Sequence, residues 1–414
     1  MMRSLLSAVS GMRNHQVRMD VIGNNVANVN TTAYKASRAT FKESFSQLVQ
    51  SAGMPTNDSG GTNPKQIGTG VELGSVDTIF TQGNFDATGV RTDLMVQGDA
   101  FFVVAQGNQR LFTRAGNFQI DADGYLVHPT NGYRLQGRMA VDGVLQGGVT
   151  DVRIPFGLRS PARATTEFAI GGNLDATADP NTTVSSSITV YDSLGERHEV
   201  EITFTKTANP NEWTYTISSA TATVDANGSG TLLFNNDGTL DVAGSTIPEP
   251  LQLTPNSGQA DQLQINLVEG DGSMTSLTQM RGPSSPLLHS QDGYSMGDLI
   301  DYSIDERGVV TGTFTNGHSL TLAQIALADF NNPAGLMRMG DNMYSTSPNS
   351  GDAQVSFAGE GSQSSISSGG LEMSNVDLAQ EFTRMIVTQR GFQAAGRVIT
   401  SADEMLQEVV NLKR

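Results

Sequence analysis

The chain has 414 residues and carries 25 lysines and arginines against 42 aspartates and glutamates, a net charge of −17. That length allows two or three domains with real cores, and that charge disfavours a nucleic-acid backbone or an anionic membrane as the main partner. Because cysteine is absent, disulfides, cysteine-ligated zinc and thiol catalysis are excluded.

Charge is unevenly placed. Residues 1–50 hold six basic side chains against Asp20 and Glu43, whereas 145–290 hold 16 acidic and 6 basic ones. The middle is therefore expected to face solvent and the start to meet other protein. No stretch approaches the roughly 18 apolar residues of a membrane-spanning helix, and the apolar run within 1–9 is too short for the core of a cleaved secretory signal. A cytosolic chain, or one exported without a cleaved signal, is expected.

The first predicted element is a helix over 2–28. A four-three spacing picks out Leu5, Val9, Met12, Gln16, Met19, Gly23 and Val26, the pattern of a narrow seam against a partner helix. It ends in the turn-prone run Gly23-Asn24-Asn25, with Asn28 and Asn30 following. A short amphipathic piece, 41–49, comes next, and 50–70, where Pro, Gly, Asn and Ser recur, predicts an extended linker. Strands then follow at 101–105, 111–114, 118–120, 125–127 and 134–138. They are separated by Gly107-Asn108, Gly116-Asn117, Asp123-Gly124 and Asn131-Gly132, which predicts successive hairpins.

From Val144 onward the composition becomes acidic and threonine-rich. Alternation at Val200, Ile202 and Phe204, at Trp213, Tyr215 and Ile217, and at Leu263, Ile265 and Leu267 predicts half-buried antiparallel strands of a separate domain. The chain turns back near Gly282-Pro283 and Pro286, and strands at 299–304, 309–314 and 320–327 resume the earlier body. A second linker, rich in Ser and Gly, spans 345–370. It leads to a helix over 375–412, with Ser374 as its expected cap and Asp377 three residues on.

This last helix repeats the first ladder rung by rung: Leu378, Phe382, Met385, Gln389, Phe392, Gly396 and Ile399, with Leu406 and Val410 beyond. A second stripe runs beside it through Val387, Ala394, Val398, Ala402, Met405, Val409 and Leu412. Two stripes predict neighbours on more than one side. Simple pairing of the two terminal helices within one chain is the plainer reading, and it leaves the second stripe exposed. Gln16 and Gln389 fix register if buried and do nothing if solvated; spacing leaves both open.

The expected fold is mainly β with α-helical termini: coiled-coil-like terminal helices, an inner β-domain made from two chain segments, and a second β-domain inserted in it. The expected boundaries are 1–30 and 371–414 for terminal assembly helices, and 31–70 and 346–370 for connecting segments. The inner β-domain takes 71–144 and 285–345, and the inserted outer β-domain 145–284.

No catalytic, cofactor-binding or metal-binding constellation is evident, and no enzyme is expected. The five histidines are scattered, and His198-Glu199 is followed by Ile202 where a zinc-protease motif needs histidine. Asp121 and Asp123 before Gly124 suit a hairpin turn better than a calcium loop, since no acidic residue closes the loop and Leu126 and Val127 continue as strand.

Three groups of residues resemble a known family. The run Gly23-Asn24-Asn25-Val26-Ala27-Asn28, continuing through Thr31, Tyr34 and Lys35, resembles the N-terminal signature of bacterial flagellar rod and hook proteins. Ser374-Asn375-Val376-Asp377-Leu378, with Met385-Ile386, Gln389-Arg390 and Asp403-Glu404-Met405-Leu406, resembles the C-terminal signature. Gln97-Gly98-Asp99-Ala100-Phe101, Phe112-Thr113-Arg114-Ala115-Gly116-Asn117 and Asp123-Gly124-Tyr125 resemble the family's first body hairpins. Ala33 departs from the pattern, standing where the family usually has glycine, and Ala395-Gly396 replaces an asparagine and a small polar residue.

The resemblance implies an axial flagellar subunit that polymerises with itself, the inserted domain favouring the hook over the rod members. It also implies export through the flagellar apparatus without a cleaved signal, a location in the extracellular hook and basal-body structure, and partners in rod, hook–filament junction and cap proteins. Neither nucleic acid nor membrane insertion is implied. A distal rod-like axial protein, or an oligomeric extracellular β-rich binding protein, is the alternative to be weighed.

Overall fold

The computed structural model describes residues 2–55, 60–107, 109–155, 157–226, 228–246, 251–256, 263–265 and 277–411. Asn108, Leu267 and Leu412, named above, lie outside that set. The fold is mainly β with one helix at each end, α1 (Met2–Ala27) and α2 (Leu378–Asn411), as the periodicities predict. Neither helix is long and apolar enough to cross a membrane. The chain divides into two compact units, one of 1–155, 303–311 and 321–414 and the other of 156–302 and 312–320.

In the first unit, Phe101–Gln106 and Gln109–Thr113 form the predicted hairpin, Phe102 opposite Thr113 and Val104 opposite Leu111. Arg134–Val141 pairs with the first of these strands and, through Gly137 opposite Ile325, with Ser319–Asp329. The inner face buries Phe101, Val103, Phe112, Ala326, Ala328 and Tyr344 in one cluster. Phe101 meets Phe330 and Tyr344 edge-on at 5.6 and 5.7 Å between ring centroids, a favoured aromatic geometry. At Asp121 the hairpin reading agrees with the structure: its Oδ1 accepts from the amides of Asp123 at 3.0 Å and Tyr125 at 2.7 Å, and Gly124 takes a φ of 87°.

The second unit is built on a meander of Thr183–Tyr191, Arg197–Lys206, Glu212–Ser219, Ser229–Phe234 and Leu240–Asp241. Its core centres on Trp213 with Val200, Ile202, Phe204 and Ile217, the inward residues of the alternating strands. A smaller sheet of Ala222–Ala226, Leu251–Pro255 and Leu263–Ile265 supplies Leu253, Leu263 and Ile265 to the same cluster.

Several expectations are corrected. The segment 31–70 is not a bare linker: Ser37–Glu43 pairs antiparallel with Val71–Thr78, and Ser46–Gln50 with Lys65–Gly68. The piece 41–49 is therefore strand, and 71–78 pairs with this connecting segment. Likewise 346–370 contributes Gln354–Ala358 to the edge of Ser319–Asp329 and Ser365–Ser368 to Leu94–Gln97. Both segments were disguised by small polar side chains, because a strand added at a sheet edge is held by backbone hydrogen bonds and needs few apolar residues. Ser285–Gln291, expected in the inner domain, pairs with Phe168–Asn173 in the second unit. Residues 371–377 precede the final helix instead of opening it.

Candidate functional site

The two end signatures meet at one junction in the first unit. Its foundation is the exit from α1. Asn28 donates from Nδ2 to the carbonyl and side-chain oxygens of Asn24, both at 2.9 Å, and its own Oδ1 accepts from Thr31 Oγ1 at 3.1 Å. Asparagine ends helices well because its short amide competes for local backbone groups. Ala33 then takes a φ of 56° with no exposed surface, which explains why glycine suits this position in the resembling family.

Two asparagines, one from each signature, read the strand that follows. Asn25 behaves as a strand partner: Nδ2 donates to Ser37 O at 2.8 Å, and Oδ1 accepts from Ser37 N at 2.9 Å and from the Tyr34 hydroxyl at 3.2 Å. Asn375 does the same one residue earlier. Its Oδ1 accepts from Ala36 N at 2.8 Å, while Nδ2 donates to Ile79 O at 2.8 Å and Thr81 O at 3.1 Å. Residues 34–37 are thus gripped by side chains from both termini.

Beneath them lies a buried ion cluster. Lys35 Nζ donates to Glu372 Oε1 at 2.6 Å and to Thr81 O at 2.9 Å, and neither charged side chain has any exposed surface. Gly83 N donates to the same carboxylate oxygen at 2.8 Å. A Cβ on Gly83 would lie 2.0 Å from Met373 O, so only glycine admits this approach. Arg114 stands 3.8 Å from Glu372 Oε2 and 4.9 Å above the Phe101 ring. Burial pulls the Lys35 ammonium below its ordinary range, with Glu372 opposing that pull. Burial also lowers Arg114, again opposed by Glu372. Arg338 closes the rim, donating to Lys35 O and lying 5.3 Å over the Tyr34 ring.

The remaining signature residues are placed as follows. Asp377, and not Ser374, caps α2: its Oδ1 accepts from Gln380 N at 3.2 Å, and the Ser374 hydroxyl instead accepts from Val376 N at 3.3 Å. The helix begins where a carboxylate meets its positive end. Val376 is half-buried in the extended approach.

The ladders belong to helices that pack on each other antiparallel. A Cβ on Gly391 would lie 2.6 Å from the His15 ring, and one on Gly396 would lie 3.8 Å from Met12. Leu5, Val9, Met12, Met19 and Val26 are half-buried, as are Met385, Phe392, Ile399 and Leu406. Leu378, Phe382 and Val410 are exposed, together with Gln16 and Gln389. The deepest positions of α2 are Glu381, Thr388 and Ala402, none of them on the predicted seam: Glu381 and Thr388 each precede a seam position by one residue, about 100° around the helix.

Residue patterns overlooked Glu372 and Arg338. Glu372 sits between Leu371 and Met373, and an acid with apolar flanks was the available signal. In the second unit, Asp192, Glu196 and His198 bring potential ligand atoms within 4.8 Å of one another. Asp192 Oδ1 is engaged by the amides of Leu194 at 2.9 Å and Glu196 at 2.7 Å, and His198 Nδ1 lies 3.0 Å from Thr221 Oγ1. These bonds hold the turn between two strands.

A β-body is clasped at one point by both chain ends, with paired helices leading from that point, and the clasping residues Asn25, Lys35 and Asn375 belong to the two signatures that resemble flagellar rod and hook proteins. The family described as "Flagella basal body rod protein" matches residues 5–35, and "Flagellar basal body rod FlgEFG protein C-terminal" matches 367–412. "Flagellar hook protein FlgE/F/G D1 domain" matches 95–173, and "Flagellar basal body protein FlaE D2 domain" 159–294. The chain is 42% identical to the flagellar hook protein FlgE of Borreliella burgdorferi and 40% identical to that of Treponema pallidum, each over the full length of both chains. The crystal structure of Helicobacter pylori flagellar hook protein FlgE2 matches with a TM-score of 0.52 at 16% identity, over 70% of this chain and all of that one, a likeness of fold. The chain belongs to the flagellar hook protein family.

Proposed function

We infer that the chain, a structural subunit of the flagellar hook, polymerises through its terminal helices into the curved, flexible tube that couples rod to filament and transmits torque. One observation carries this reading. With α2 already paired to α1, Phe382, Ile386, Val387, Val398, Met405, Val409 and Val410 remain 45% to 69% exposed. Fully burying one such side chain is worth about 1.5–3 kcal/mol, so a row of them along one helix is a surface for other copies. The seam residues Leu5, Val9, Met12, Met19 and Val26, with Leu378, Phe382, Met385, Phe392, Ile399, Leu406 and Val410, form the assembly interface.

Bending requires neighbours to slide without parting, which polar, glycine-rich β-surfaces allow better than an interlocked apolar interface. Rod and hook–filament junction proteins meet the two ends of the tube. The cap and the export apparatus act during assembly, the chain leaving without a cleaved signal.

The test is the double variant Phe382→Asp with Met385→Asp, examined by negative-stain electron microscopy and circular dichroism. A soluble β-body without tubes is expected. Tubes of normal length from this variant would mean that the seam is not the assembly contact.

A further inference from the structure

The two ends of α2 differ in charge, and each borders a recess. Where α1, Ser37–Glu43 and α2 converge, Arg18, Arg38, Arg384 and Glu381 line a recess floored by Ile22 and Phe41. Glu381 is buried; its Oε1 accepts from Arg384 Nη1 at 2.7 Å, and its Oε2 has no partner among the described residues. Among the described residues Arg38 pairs with Asp77 alone, at 3.9 Å on an exposed pair. Arg18 has no carboxylate within ion-pair distance among the described residues. Three guanidinium groups thus surround one carboxylate, and the recess is positive.

The distal part of α2 is the opposite. From 398 to 411 it carries Asp403, Glu404 and Glu408 and no basic residue, with Arg397 before this stretch and Lys413 and Arg414 after it in the sequence. All three acids are exposed, and Glu404 and Glu408 edge a groove with Met405. Arg3, near the start of the antiparallel α1, is exposed and makes no ion pair with them. At 1.5 Å per residue, Glu404 lies about 30 Å along the helix from Arg384. The acidic tip cannot reach the basic recess of its own chain.

We propose that the recess is the docking site for the acidic tip of α2 from a second copy of this chain, with Glu404 and Glu408 entering between Arg18, Arg38 and Arg384. The contact is head-to-tail: one surface of each copy meets a different surface of the next, so it propagates instead of closing into a dimer. Guanidinium suits the role because its planar fork holds a carboxylate through two bonds. The inference rests on the polymerisation reading above and adds the polarity of the contact and its chemistry, which the apolar stripe alone does not supply.

The experiment uses full-length protein and reads the critical concentration for tube formation by sedimentation and electron microscopy. Glu404→Lys with Glu408→Lys, and separately Arg18→Glu with Arg38→Glu, should each raise it about tenfold, equivalent to about 1.4 kcal/mol per contact. Combining all four substitutions should bring it back to within about threefold of the parent. Circular dichroism and thermal unfolding confirm that each variant keeps its helices. Two results would overturn the contact alone: either pair polymerising at the parent's concentration, or the fourfold variant doing no better than either pair. A parent chain that forms no tubes would overturn the polymerisation reading and this contact with it.

Discussion

Glu372 is the residue on which the junction turns. Its carboxylate is sealed from water and answers Lys35, Arg114 and the Gly83 amide together. Removing one partner of such a cluster leaves buried charge uncompensated, which costs about 3–5 kcal/mol. Glu372→Gln should lose that much in urea unfolding of the first unit, whereas Lys35→Met combined with Arg114→Met and Glu372→Leu should recover most of it. A single Gln variant within about 1 kcal/mol of the parent would show that water reaches the cluster. Ala33 shows how a departure from a family pattern can be tolerated. The left-handed backbone costs an alanine roughly 1–2 kcal/mol, but a buried methyl returns about 0.8 kcal/mol and glycine carries its own entropic penalty of about 0.5–1 kcal/mol. At this scale Asn25, Tyr34, Lys35 and Asn375 were singled out by the resemblance of the two end signatures to flagellar rod and hook proteins. They could not name Glu372 or Arg338, because a buried ion pair 337 positions apart leaves no local period.

Among elements, the helices were the most legible. Their 3.5-residue ladders predicted both helices, but the structure turns the buried face of α2 by one residue, about 100°, onto Glu381, Thr388 and Ala402. The edge strands at Ser46–Gln50 and Gln354–Ala358 were illegible for the opposite reason: their partners, and not their own side chains, make them strands. The start of α2 misled because Ser374 and Asp377 both suit a cap, and the bonds of Asn375 to Tyr34, Ala36 and Ile79 hold 374–376 extended. Gly391 lets the helices approach, the space for its missing Cβ being taken by the His15 ring. Gly391→Val should therefore push α2 off α1. Limited proteolysis should cut α2 at least several-fold faster than in the parent, with the β-body resistant. Equal cleavage would mean that the pair is held elsewhere.

For the whole molecule, the question is whether the second unit can be removed. Arg163 and Tyr294 exchange two backbone hydrogen bonds of 3.0 Å, so the stretch between them begins and ends at one place. Replacing 164–293 by a tight turn should leave the strand and helix signals of the remaining chain intact by circular dichroism and amide exchange, because only local closure is altered. Loss of cooperative unfolding in that variant would show the inserted sheets to be part of the inner body. Insertion itself was legible, since the compositional shift near Val144 and the returning strands after Pro286 bracket it. Where it ends was not, because Ser285–Gln291 reads as an apolar strand with no indication of which sheet claims it.

The junction also joins the two extremes of the chain. Asn25 and Lys35 are among the first residues made, and Glu372 and Asn375 among the last, so the clasp has one of the longest loops in the chain to close. A chain emerging from its N-terminus can assemble its hairpins locally, yet it holds an unanswered lysine until the final tenth appears. Truncated products are therefore left with α1 undocked and Lys35 uncompensated, unable to present the paired helices that a growing tube would accept. A chain that stops short of Glu372 lacks both the carboxylate that answers Lys35 and the helix that pairs with α1.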